Sequence, residues 1–440
     1  MNVSHTFVNH YQTKLPLKNP QFDIFLVLIF SILFLLTLKK KNGDYPLSIT
    51  QANQVKGLAI LFIIFNHLCY YTEPQPSLYA IWSEVGMIGV TIFFIFSGYG
   101  VCISIQEKGI RDFFKKRIAR IFIPLIYALS LLLALYITLM PQMQNGFLLE
   151  MPRILFAMES LDGKMWFIVF VLAWYYLLYI GFKLNLSNLH KLFLLLVFSF
   201  AIIAIPDMPY VAKGNAFSFP FGCWLGFNHS VVVNKLDKFL RLRFKTLIIS
   251  FASLISLAGF SFWLAETLKF YAYQTIFLIA VIAVIISIIY LLCQYRVEEI
   301  KQTVSLEFIS CVIVFLTIYF NYLSHIFQKH DFEGTLFLMY WSTTRSLANI
   351  LIASSLTLII ALMLKCQRFS LILNFLGWIS FELYLIHNTF LIHFDFLLFR
   401  GSMILMFPIY FLGVCLISLI LKRLSERTLR ILRNSKELLF

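Results

Sequence analysis

Apolar runs long enough to cross a lipid bilayer recur along almost the whole chain, and this limits its fold more than any other property. A spanning helix needs roughly 20 apolar residues, within a range of about 17–25. Candidate spans fall at 22–38, 54–71, 85–104, 118–140, 165–184, 191–206, 217–233, 247–264, 271–293, 304–324, 346–365, 375–396 and 403–421. The stretches 191–206 and 217–233 are short and interrupted by Pro206 and Pro220, a pattern that suits re-entrant pieces. The expected fold is therefore all-α, a polytopic transmembrane helix bundle with about 10–13 spans.

Composition excludes the alternatives. Hydrophobic residues make up 60% of the 440 positions, charged residues only 13%, and Phe alone fills 48. A soluble fold carries about 25% charged residues, so a water-exposed globule, a disordered chain or a disulfide scaffold does not fit. Seven cysteines (69, 102, 223, 293, 311, 366 and 415) are widely spaced, lack any CxxC pair, and read as small apolar filler with no metal site.

The formal net charge of +15 is explained by topology and requires no nucleic-acid partner. If 1–21, 72–84, 141–164, 207–216, 265–270, 325–345 and 397–402 share one side, they hold 9 of the 36 Lys and Arg, leaving 27 in the alternate loops and the C-terminal segment. That bias predicts an external N-terminus, a cytosolic C-terminus and a multi-pass protein of the plasma (inner) membrane. The chain divides into an N-terminal anchor helix with a basic loop (1–45), a membrane domain (46–421) and a basic cytosolic tail (422–440). The run Phe22 to Leu38 ends in three lysines without a small-residue cleavage site, and reads as an anchor.

Ionisable side chains inside spans cost several kcal/mol and are by default functional hypotheses. Lys56 and His67 are eleven positions apart, about three turns, so they share a face roughly 16 Å apart along the axis. A cation at the cytosolic mouth with an imidazole deep in the same groove suits a ligand with an anionic head and a reactive tail; a snorkelling Lys and a structural His are the plainer reading. Arg117 and Arg120 stand at i,i+3 beside Pro124 and could grip phosphate as paired guanidinium forks, or serve as a topological anchor. Gly86, Gly89, Ser97 and Gly98 read first as a close helix contact. Ser380, Tyr384 and His387 form one polar stripe, as catalytic candidates or as a structural network. Glu382 falls off that stripe and should meet a different neighbour, paired or protonated.

In this order the segments resemble the acyltransferase-3 family of integral membrane enzymes. Lys56 and His67 match its basic-residue, ten-residue, His spacing. Phe93-Phe94-Ile-Phe-Ser97-Gly98 is similar to its FFxxSG segment, and Arg117-Ile-Ala-Arg120-Ile-Phe-Ile-Pro124 to its RxxRxxxP segment. Phe219-Pro220-Phe221-Gly222 with Gly226 resembles its mid-chain Pro-Gly segment, and Gly377 to His387 its GxxSxxxYLxH segment. The resemblance spans about 50–421. The family core is commonly ten spans, and about twelve follow the N-terminal anchor here, which points to 247–345 as a variable region.

The resemblance implies transfer of an acyl group, usually acetyl, from acyl-CoA to a hydroxyl of an extracytoplasmic carbohydrate or glycolipid, with acetyl-CoA as a donor substrate and no tightly bound cofactor. Lys56, Arg117 and Arg120 would then hold the donor phosphates. His67 would act as general base or carry a transient acyl group, and Ser97, Tyr384, His387 and Glu382 would be further catalytic candidates. The competing class is a transporter or glycolipid flippase, which predicts inverted repeats; no internal duplication of these motifs is visible.

Overall fold

The computed structural model describes residues 15–16, 22–40, 47–73, 79–139, 166–205, 208–240, 335–365, 368–393 and 402–437. The helices, in chain order, are α1 (Phe22–Leu36), α2 (Ile49–Tyr70), α3 (Tyr79–Lys108), α4 (Phe113–Leu139), α5 (Trp166–Lys183), α6 (Asn188–Ala204), α7 (Tyr210–Lys213), α8 (Ser218–Phe227), α9 (His229–Leu240), α10 (Thr335–Lys365), α11 (Leu371–Trp378), α12 (Ser380–His393) and α13 (Met403–Glu437). Two minimal ladders accompany them: β1 (Leu15–Pro16) runs parallel to β3 (Thr72–Glu73), and β2 (Leu38–Lys40) antiparallel to β4 (Arg368–Ser370). The second ladder, with Leu371 N donating to Thr37 O at 3.2 Å, ties the end of α1 to the start of α11.

The protein is an all-α membrane bundle. Among the described residues five helices are long and apolar enough to cross a membrane, or six if α11 and α12 form one bent span; α1 and α6 are apolar but shorter. Three expected spans, at 247–264, 271–293 and 304–324, lie outside the described residues, as do Arg153 and Lys164. The stretch expected as a span at 217–233 is two helices, α8 and α9, separated by Asn228. At ten residues α8 is about 15 Å long, half a hydrocarbon core.

Helix faces explain what is buried. On α13, Leu405, Ile409, Leu412, Leu416 and Ile420 are exposed, while Phe407, Tyr410, Val414 and Leu421 are buried. An outward apolar stripe opposite a packed face is the pattern of a lipid-facing helix. Of the segment expected as a separate tail, 422–437 continues α13 without a break. At 35 residues α13 is about 52 Å long, well beyond the roughly 30 Å hydrocarbon thickness. Its basic end stays docked: Tyr127 OH pairs with Thr428 Oγ1 at 2.7 Å, and Trp378 Nε1 donates to Glu426 Oε1 at 3.3 Å.

Two reciprocal glycine contacts set the core. A side chain at Gly57 would strike the backbone of Leu373, and one at Gly377 the backbone of Asn53, so α2 and α11 touch main chain to main chain. Likewise a side chain at Gly98 would meet Phe219 O, and one at Gly222 would meet Ile95 O, which brings α8 onto α3. Small residues permit such approach where apolar side chains alone gain little from leaving lipid. Gly89 lies against Ala59 and Ile63, and Gly86 against Asn66, so α3 runs antiparallel to α2.

The start of α2 is held by polar groups. Ser48 caps it by accepting from Gln51 N at 3.3 Å, and Gln51 Oε1 accepts from Leu47 N at 2.6 Å. Gln51 Nε2 donates to Thr357 O, and Gln54 Oε1 accepts from Ser370 N, each at 2.9 Å. Between α11 and α12 the axis turns by 78° at Ile379. Ser380 Oγ donates to Gly377 O at 2.9 Å, satisfying a carbonyl that the break releases. The turn places α12 across the bundle interior.

Candidate active site

A cavity of about 740 Å³ runs between α2, α3, α4, α5, α12 and α13. Its two ends differ in chemistry. One end is ionic: Lys56, Arg117, Arg120, Lys422 and Arg430 line it, together with Glu382 and Glu426. The other is apolar and aromatic, lined by Ile63, Val90, Phe93, Phe167 and Tyr384, with the Phe167 and Tyr384 rings 5.4 Å apart edge-on.

Just beyond the aromatic end stands a pair of buried histidines. Ile63 is one turn before His67 on α2, and Tyr384 is three residues before His387 on α12. His67 Nδ1 and His387 Nε2 are 2.8 Å apart, with 9% and 2% of these residues exposed. The ring planes agree within 3°, and the nitrogens are closer than stacked rings allow, so the imidazoles meet edge to edge.

The surrounding hydrogen bonds define the tautomers. His387 Nδ1 lies 3.0 Å from both Leu383 O and Tyr384 O; carbonyls only accept, so this nitrogen carries the proton. In neutral His387 the lone pair is then on Nε2, and His67 Nδ1–H donates to it. His67 in turn carries its own lone pair on Nε2, the arrangement of an oriented base. Tyr410 OH donates to His387 O at 3.0 Å and fixes the helix at this point.

The ionic end is built from four helices, α2, α4, α12 and α13. Arg117 reaches Gly100 O at 3.5 Å, and its guanidinium sits 5.6 Å from the Phe113 ring centre and 5.8 Å from that of Tyr175. These rings hold the fork without neutralising it. Pro124 also lines the cavity while α4 continues through it, so the Arg120 carbonyl lacks its intrahelical donor. Glu382, off the polar stripe as expected, meets Lys422 at 3.5 Å. Lys422 also approaches Glu426 at 3.9 Å, and Arg430 reaches Glu426 at 4.0 Å.

The fold thus brings His67 to His387, and brings Lys56, Arg117, Arg120, Ser97, Glu382 and Tyr384 to one cavity. It does not bring Ser97 to His67. Gly89 stands opposite Ala59 and Ile63, so Ser97, eight residues further along the antiparallel α3, falls near the depth of Lys56. Its hydroxyl pairs with Tyr175 OH at 2.6 Å. Tyr175, Tyr410, Lys422, Glu426 and Arg430 were not singled out from the sequence. The i,i+4,i+8 spacing of Lys422, Glu426 and Arg430 was a usable signal for one helix face; nothing local marks the two tyrosines. Among the described residues no cluster of His, Cys, Asp and Glu could hold a metal ion.

A family model described as an acyltransferase domain matches residues 49–298. The chain belongs to the acyltransferase-3 family. It is accordingly a multi-pass membrane acyltransferase. No curated protein and no solved structure matches it. The match ends before Gly377–His387, yet α11 and α12 pack on α2 inside the matched stretch, and His387 bonds to His67. The tertiary structure therefore joins the two segments into one site.

Proposed function

We propose that this acyltransferase moves an acyl group, acetyl in the first instance, from cytosolic acyl-CoA to a hydroxyl of an extracytoplasmic glycan or glycolipid, with His67 as general base. The observation that carries the reading is the oriented His67–His387 pair beyond the aromatic end of a cavity whose opposite end is cationic. A long donor with a polyanionic head and a reactive tail fits that polarity. Lys56, Arg117 and Arg120 bind the phosphates on the cytosolic side, and the pantetheine arm extends past Phe93 and Tyr384 towards the histidines.

The acceptor hydroxyl approaches from outside and gives its proton to His67 Nε2 as its oxygen attacks the thioester carbonyl. The tetrahedral intermediate collapses with cleavage of the C–S bond, and the imidazolium returns the proton to the departing CoA sulfur, leaving an ester and CoA–SH. The main-chain carbonyls of Leu383 and Tyr384 accept from His387 Nδ1–H and keep that imidazole in the tautomer that orients His67. As His67 takes up the proton, His387 stabilises the cation through the shared hydrogen bond. Tyr384 lines the donor path, and Glu382 balances Lys422 rather than joining the histidines.

The test is purified protein with radiolabelled acetyl-CoA and a cell-envelope glycan. Wild type transfers label to the glycan. His67→Ala inserts and folds normally but loses the general-base contribution, about 10²–10⁴ in rate. Wild-type acylation by that variant refutes the role of His67, and transport of a substrate without thioester turnover refutes the transfer reading.

A further inference from the structure

The C-terminal stretch of α13 has a role beyond topology. It runs past the length a bilayer requires, and instead of leaving the bundle it forms one wall of the cavity's ionic end. Lys422, Glu426 and Arg430 recur at one turn's spacing along the edge that borders the cavity, with Arg430 outermost and its side chain 80% exposed. The Glu426 carboxylate accepts from the Trp378 indole at 3.3 Å and lies 3.9 Å from Lys422 and 4.0 Å from Arg430. Two cations and an N–H around one anionic group make a donor set suited to a phosphate. The lining of this end comprises five cations (Lys56, Arg117, Arg120, Lys422 and Arg430) and two carboxylates (Glu382 and Glu426), an excess of three positive charges. Such an excess suits a ligand bearing more than one phosphate group.

We propose that Lys422 and Arg430 form a phosphate-binding subsite at the cavity mouth, with Glu426 as an internal anion that holds the phosphate's place and competes with it. The ligand chemistry is a phosphate ester. It rests on the donor reading above in that acyl-CoA supplies such a group; an anionic lipid headgroup carries the same chemistry. Lys422 is the pivot, because it also neutralises the buried Glu382 at 3.5 Å. Ligand binding exchanges the Glu426 carboxylate for a phosphate around Lys422 and Arg430 without uncovering Glu382.

The decisive variant is Glu426→Gln, whose side chain is about one-third exposed (34%) and whose replacement keeps shape while removing the competing charge. Binding of CoA to the full-length protein in zwitterionic nanodiscs is measured by calorimetry, with pantetheine as the phosphate-free control. Glu426→Gln should bind CoA about three- to tenfold more tightly than wild type, and Arg430→Ala about tenfold more weakly, the scale of one charge-assisted contact. Neither should change pantetheine binding. Lys422→Arg keeps the Glu382 partner and guards against misfolding; it should retain CoA binding while Lys422→Ala loses it. Unchanged or weaker CoA binding by Glu426→Gln overturns the subsite, unless its effect appears with nanodiscs containing anionic lipid, measured as lipid retention. That result keeps the phosphate subsite and makes the lipid headgroup its ligand. Absence of any Glu426→Gln effect in both arms refutes it. Intact CoA binding with this pattern but no acyl transfer leaves the subsite standing and removes only the reaction assigned to His67.

Discussion

The two ends of the cavity use polar groups in opposite ways. At the histidine end, two buried imidazoles are held by hydrogen bonds of 2.8 and 3.0 Å to each other and to main-chain carbonyls, and the arrangement admits one neutral tautomer for each ring. At the mouth, seven ionisable side chains carry an unequal balance of charge, and Glu382, Lys422, Glu426 and Arg430 among them pair loosely at 3.5–4.0 Å. A buried hydrogen-bond network is costly to leave half satisfied, so its geometry is strict. Partly solvated charges interact through a screened field that tolerates movement. Under the proposed function, the reaction belongs to the strict end and ligand capture to the permissive one.

That contrast can be broken from either side. The largest effect expected after loss of His67 itself comes from His387→Ala, which removes the acceptor of His67 Nδ1–H. It should lower kcat by about a hundredfold, equivalent to about 2.7 kcal/mol, with little change in KM. His387→Gln, whose Oε1 can accept the same proton, should recover part of the loss; equal defects in the two variants would argue that His387 only packs. A smaller effect is expected at the mouth. Arg117→Ala should raise the KM for acetyl-CoA by about tenfold, about 1.4 kcal/mol, and leave kcat near wild type. A fall in kcat without a change in KM would remove Arg117 from ligand capture and return it to a topological anchor. The smallest effect is that of salt: shortening the Debye length from about 10 Å to about 3 Å should raise KM by about threefold and leave kcat unchanged, as measured by initial rates across ionic strength. If kcat falls with KM constant, the separation of the two ends fails.

Much of this was legible from spacing. Lys56 and His67 lie on one face because eleven residues complete three turns, and the Ser380, Tyr384 and His387 stripe could be read in the same way. The close contacts expected at Gly86, Gly89 and Gly98 are present because small residues at helical spacing allow main chains to approach. What spacing could not show was depth. Ser97 has the chemistry to orient an imidazole, but the antiparallel packing of α2 and α3 sets it near Lys56, against Tyr175. The expected tail at 422–440 looked like topology because its charges obey the positive-inside bias, and no sequence pattern reveals that Tyr127 and Trp378 dock it against the bundle.

The sequence by itself determined the all-α membrane class, the family, and the helix faces that carry Lys56, His67, Tyr384 and His387, because hydrophobic length and helical period are local properties of a chain. Only the tertiary structure decided that His67 and His387, separated by 320 positions, share a proton, and that Lys422 and Arg430 stand at the same mouth as Lys56 and Arg117. Those pairings depend on the 78° turn at Ile379 and on the glycine contacts that seat α11 against α2. They are products of packing between distant segments, which no periodicity within one segment encodes.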